Sequence, residues 1–200
     1  WDKREIISYI SKNERLLRPM NMIDGTPGTG ITSIKTNAGR IGVANVMTNL
    51  FMSKTDPVFD KIPEIIDSFK LSENVDFALV DVHGEASSEK MAIGYALDGN
   101  VSAVVGTHTH VPTADHQVLE KGTAYITDVG MSGDYNSIIG MNKEDALNRF
   151  KFPNNKKSRL EVSLGEPTLC GVVIDTHSNG LSKSIKPIRL GGRLEQTIPV

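Results

Sequence analysis

The segment Asp76-Phe77-Ala78-Leu79-Val80-Asp81-Val82-His83 is mostly apolar, and a run of that kind reads as a strand buried on both faces. Gly84 ends it, and Ser87 or Ser88 can cap a helix running from residue 89 to about 97. Asp98-Gly99-Asn100 then turns the chain into Val101-Ser102-Ala103-Val104-Val105, a second buried strand. Strand, helix and strand within about 30 residues form a βαβ unit, so the two strands should be parallel with a right-handed crossover. The middle of the chain is therefore α/β.

The flanks are built around that unit. Ile6, Ile7 and Ile10 mark one face of a helix through about residue 11, with Asp2 and Glu5 spaced as a capping box. Residues 16–22 read as extended, and 25–30 as a glycine-rich turn. A phosphate loop is a poor fit to that turn, which lacks the closing Lys-Ser/Thr and opens no evident helix. Residues 31–35 and 41–47 make a hairpin around Asn37-Ala38-Gly39, and 57–69 a helix. Residues 123–127, 159–164, 168–176 and 181–190 read as strands, so the C-terminal part is an antiparallel β-rich end on the α/β middle.

The sequence holds no repeat and no low-complexity segment, and residues 1–200 are read as a single domain. With 38% hydrophobic and 23% charged residues, the chain is neither a disordered tail nor a coiled coil. No apolar run approaches 18 residues, so no membrane span is expected. A net charge of −2 gives no global argument for nucleic acid as partner. The single cysteine, Cys170, excludes an internal disulfide and suits a reducing compartment, so a cytoplasmic location is expected.

Five histidines carry most of the chemical signal. His83 ends one buried strand, and His108 and His110 follow the next. If the chain stays extended past Gly106, the period of two puts His108 and His110 on the same side. Ligands bind at the carboxyl ends of parallel strands in open α/β sheets, so three imidazoles converge on one edge. Neutral imidazole is a common ligand for zinc and iron. Asp81, two residues before His83, points to the same side and could orient an imidazole from behind; Glu85 is a further candidate for that role.

Other polar features have plainer readings. His116 and His177 are read as ordinary histidines beside a loop and a turn. Asp128, before Val129-Gly130-Met131-Ser132-Gly133, opens either an active-site loop or a tight connection. Residues 149–159 carry five positive charges and two aromatics. They read as a solvated basic loop, with RNA or a phosphorylated substrate as the functional alternative. Cys170 reads as a buried small hydrophobe.

Taken together, Asp81-Val82-His83 and Gly106-Thr107-His108-Thr109-His110 resemble the calcineurin-like metallophosphoesterases. The resemblance is closer to the YmdB-type bacterial 2′,3′-cyclic-nucleotide phosphodiesterases. Stretches carrying it include Trp1-Asp2-Lys3-Arg4-Glu5-Ile6, Leu17-Arg18-Pro19, Gly25-Thr26-Pro27-Gly28, His83-Gly84-Glu85-Ala86-Ser87-Ser88-Glu89-Lys90 and Gly122-Thr123-Ala124-Tyr125-Ile126-Thr127-Asp128-Val129-Gly130-Met131. It implies a four-layer α/β/β/α sandwich with mixed sheets and a centre of two divalent metal ions, iron or manganese, with zinc as a third option. His83 and His108 would be ligands of one metal and His110 of the other. The departures are small: Gly84 stands where an alanine is common, and Asp134 where a proline often follows the glycine.

The same resemblance implies an Asp, a bridging Glu, an Asn and a general-acid His placed before Trp1. Two cations held close together repel and need bridging anions, which three neutral imidazoles do not supply. The chain, which opens without an initiator methionine, is thus expected to be the C-terminal portion of an enzyme. Its expected partners are a small phosphodiester or cyclic-nucleotide substrate and the N-terminal segment of the same protein. RNA and a second copy of the chain are further candidates. Two rivals stand beside this reading: a mononuclear three-histidine metal hydrolase, and a regulatory or RNA-binding module with a vestigial site.

Overall fold

The computed structural model describes residues 3–153 and 160–199. Its elements in chain order are α1 (Arg4–Ile10), β1 (Ile31–Thr36), β2 (Gly39–Met47), α2 (Ile62–Ser68), β3 (Phe77–His83), α3 (Ser87–Leu97), β4 (Ala103–Thr107), β5 (Gln117–Val118), β6 (Ala124–Ile126), α4 (Lys143–Lys151), β7 (Leu169–Thr176) and β8 (Ser182–Leu190). One sheet has the order β1-β2-β3-β4-β6-β5, and β7 pairs with β8 in a second. Within the larger sheet β2, β3, β4 and β6 are parallel, while the edge strands β1 and β5 run antiparallel. The central β3–α3–β4 unit has its expected parallel pairing, with His83 opposite Thr107.

Alternation along β3 sorts the two faces. Ala78, Val80 and Val82 are fully buried in a core with Val46, Ile65, Phe69, Ile93 and Leu97, which belong to β2 and the α2 and α3 region. A valine buried to that degree stabilises the fold by about 1.5–3 kcal/mol. Phe77 and Leu79 point the other way, into a smaller cluster with Val105, Ile126, Val172, Ile174 and Ile185. Helices, large sheet and hairpin are thus successive layers of a mixed α/β fold. Asp81 and His83 continue the Phe77 and Leu79 face toward the carboxyl end of the strand.

Several elements differ from the sequence reading. Residues 57–69 divide into a 3-10 turn, Val58–Lys61, and α2, with Pro63 in the first turn of the helix. The N-cap of α3 is Ala86 with no side-chain cap, so neither serine caps it. The capping role expected of Asp2 lies outside the described residues; α1 has Lys3 at its N-cap. Residues 160–164 form no strand, only an isolated bridge from Val162 to Met141. Val162 and Leu164 are 65% and 95% exposed, so no apolar surface holds a strand there.

Helix α4 takes part of the expected basic loop. Asn142 caps it through Glu144 N (2.9 Å) and Asp145 N (3.4 Å), with acids in the first turn and Arg149 and Lys151 in the last. Those charges complement the helix dipole. The rest of the basic stretch, residues 154–159, lies outside the described residues.

Candidate metal-binding edge

His83 is the last residue of β3, and its ring is held from behind. The Thr107 hydroxyl donates to Asp81 Oδ1 (2.8 Å), so its oxygen is left to accept from His83 Nδ1 (3.1 Å). Asp81 is fixed in turn by Asn45 Nδ2, which donates to its other oxygen (2.7 Å) from the paired position on β2. This relay places the proton on Nδ1 and the lone pair of His83 on Nε2. Burial, then the neighbouring His108, pushes His83 below its ordinary pKa and keeps the ring neutral, as a ligand must be.

Nε2 of His83 faces Nδ1 of His108 at 3.1 Å, with the rings edge to face. The far nitrogen of His108 lies 3.4 Å from Glu85 Oε2. Two imidazole nitrogens bonded to one cation at about 2.0–2.1 Å can lie this close. A proton on one nitrogen can bridge the pair equally well, so the arrangement takes either a proton or a metal.

His110 does not join them. Both His108 and His110 have positive φ, +102° and +67°, so the period of two ends at Thr107. The cause is Asp128: its Oδ2 accepts from Thr109 N (2.9 Å) and Thr109 Oγ1 (2.8 Å), winding the chain between the two histidines. Lys90, fully buried on α3, anchors that carboxylate at 3.1 Å and donates to the Thr107 carbonyl at 2.6 Å. Gly106 allows the approach, since a Cβ there would lie 1.6 Å from the Thr127 carbonyl oxygen. His110 Nδ1 instead donates to the Ile139 carbonyl (2.8 Å), which leaves Nε2 free to act as a ligand. Among the described residues no three His, Cys, Asp or Glu side chains are assembled to hold a metal ion. The chain offers one imidazole pair and one separate imidazole.

The remaining candidates sort simply. Asp81 reaches His83 only through Thr107, and Glu85 touches His108 directly. Asp128 is the clamp of the histidine loop. His116 lines a separate cavity of about 110 Å³, with Arg189 and Pro112 among its neighbours; its Nδ1 is buried without a partner. His177 belongs to the turn between β7 and β8. Cys170 is buried, with its sulfur 3.3 Å from the Tyr135 hydroxyl. Three contributors escaped the sequence reading: Thr107, Lys90 and Tyr135, whose hydroxyl donates to the His110 carbonyl (3.1 Å). Lys90 had a signal, because it shares a helix face with the buried Ile93, Gly94 and Leu97.

Comparison with known proteins places the chain in a family. Residues 1–188 match the family model described as YmdB-like protein. The chain belongs to the YmdB-like family. It is 47% identical over 175 residues to the 2′,3′-cyclic-nucleotide 2′-phosphodiesterase of Bacillus subtilis (strain 168), a match covering 88% of this chain and 65% of that protein. A crystal structure of a protein from Thermus thermophilus superposes with a TM-score of 0.83 at 36% identity, covering 96% of this chain and 73% of the other. A novel phosphatase from Mycoplasma pneumoniae gives 0.82 at 32% identity, covering 96% and 69%. The YmdB-like chain thus has the fold of a metallophosphoesterase-type phosphatase. Among its described residues, no helix is long and apolar enough to cross a membrane.

Proposed function

We propose that this chain is the histidine-bearing portion of a metal-dependent phosphodiesterase acting on 2′,3′-cyclic nucleotides. One observation carries the reading: the His83–His108 nitrogen pair at 3.1 Å, with its protonation set by Thr107 and Asp81. The substrate class rests on the likeness to the Bacillus phosphodiesterase, of which the chain spans 65%. Two divalent ions, iron or manganese, would make a hydroxide available at neutral pH and offset charge on the phosphoryl oxygens.

The chain's own residues then have distinct parts. His83 and His108 present two lone pairs to one site, and His110 presents its Nε2 to a second. Asp81 and Thr107 keep the His83 ring in one tautomer, and Lys90 with Asp128 fixes the loop between the other two histidines. Three imidazoles bring no negative charge to the centre. The bridging carboxylates and the general acid for the leaving ribose oxygen are accordingly assigned to chain outside these 200 residues. The three-histidine mononuclear reading is less well supported, because the Ile139 carbonyl holds His110 apart from the pair.

The test is hydrolysis of adenosine 2′,3′-cyclic phosphate by the complete natural protein. Thr107→Val should cost about 10–100-fold in activity, as loss of a ligand's orienting partner does. His83→Ala should cost more, and a chelator should stop turnover. Full activity in His83→Ala, or in the presence of the chelator, contradicts the proposal.

A further inference from the structure

We infer that the apolar recess between α4 and the 138–141 turn is the subsite for the base of the nucleotide, an inference that rests on the phosphodiesterase reading above. The recess holds about 290 Å³ and is lined by Ile138, Ile139, Met141, Ala146, Arg149 and Phe150. Sites for whole drug-sized ligands run from about 300 to 1,000 Å³, so this one lies at the lower end and has room for a nucleobase.

Most of its walls come from two elements, and Leu160 adds to them. The spacing of Ala146, Arg149 and Phe150 puts all three on one face of α4. Ala146 is buried at the base of that face, while Phe150 is 80% exposed. Opposite, Ile138 and Met141 pair across a tight turn whose central residues, Ile139 and Gly140, have φ of +47° and +92°. A β-branched residue in that conformation is costly, where asparagine or glycine would be ordinary, and strain of this kind marks functional positions. Ile139 does two things there. Its carbonyl accepts from His110, and its half-exposed side chain lines the recess. One residue of the recess wall is therefore hydrogen-bonded to the histidine that the reading assigns to the centre.

The chemistry selects a planar π system. Phe150 offers a ring face, and Arg149 pairs with no carboxylate among the described residues. Aromatic rings and guanidinium groups both stack on nucleobases, and they do so with little regard to which base it is. With so few side-chain donors or acceptors in the lining, the subsite should separate nucleotides from base-free phosphodiesters far more than adenine from uracil.

The experiment uses the complete natural protein, loaded with metal. It compares adenosine 2′,3′-cyclic phosphate with the 2′,3′-cyclic phosphate of methyl riboside, which has no base. The native protein should prefer the adenosine substrate in kcat/KM by about tenfold, and Phe150→Ala should erase most of that preference through KM. Separately, adenosine 2′-monophosphate should shift the methyl NMR signals of Ile139 and Met141, a readout that needs no turnover. Equal kcat/KM for the two substrates in the native protein overturns the base subsite and leaves the phosphodiesterase reading standing. If neither substrate is hydrolysed, the phosphodiesterase reading fails; the methyl signals then decide the recess, and their failure to shift overturns it too.

Discussion

The His83 edge and the His110 loop present the same side chain by unlike means. His83 is aimed by strand periodicity, and its ring is locked through Thr107 and Asp81 on paired strands. His110 sits at positive φ on a loop, with its ring tied to the carbonyl of a strained turn and its own carbonyl to Tyr135. The first arrangement comes with the sheet. The second depends on separate tethers brought in from residues 128–141. Regular structure orients one imidazole by itself, but placing a second at another angle needs loops that tertiary contacts hold in place.

The strongest way to break the contrast is at the clamp between the two. Lys90→Met leaves Asp128 buried and charged without its cation, and should lower stability in urea unfolding by about 3–5 kcal/mol. A loss under about 1 kcal/mol would mean that the loop is held without the pair. Next in size is Gly84→Ala, just past the His83 strand, where a Cβ would lie 1.9 Å from Thr48 Oγ1. It should cost about 1–3 kcal/mol by the same assay, and an unchanged denaturation midpoint would count against the close packing. This packing also gives a local reason for the glycine at 84.

The smallest effect lies at Asp115, which is bonded to the Thr127 end of β6. Burial pushes Asp115 upward, but hydrogen bonds from Thr113 and Thr127 outweigh it and hold the carboxyl below its ordinary value of 3.8. A depressed folded-state pKa stabilises the protein above the unfolded value, and that contribution is lost as pH falls through the folded one. Asp115→Asn should therefore flatten the fall of Tm on acidification below about pH 4. An identical acid profile in the variant would show that the hydrogen bonds to Asp115 carry no such contribution.

Much of the strand-end site is legible in the sequence. The apolar run ending in His83 marks β3 and its face, and the βαβ spacing puts His108 beside it. His110 departs from the expected alternation because local pattern says nothing of Asp128, nineteen positions on from Thr109, which winds the backbone there. The place of Lys90 on the buried face of α3 hints at its burial, but its charge is explained only by a partner 38 positions away. Helix α4 carries its signal in the Asn142 cap and the acid-to-base gradient, which the run of positive charge at its end obscures.

The most direct measurement is elemental metal content per chain of the complete natural protein, compared with His83→Ala and His110→Ala. The account predicts about two divalent ions in the native protein and about one fewer in each variant. A single tightly held ion, or two that survive both substitutions, would contradict it.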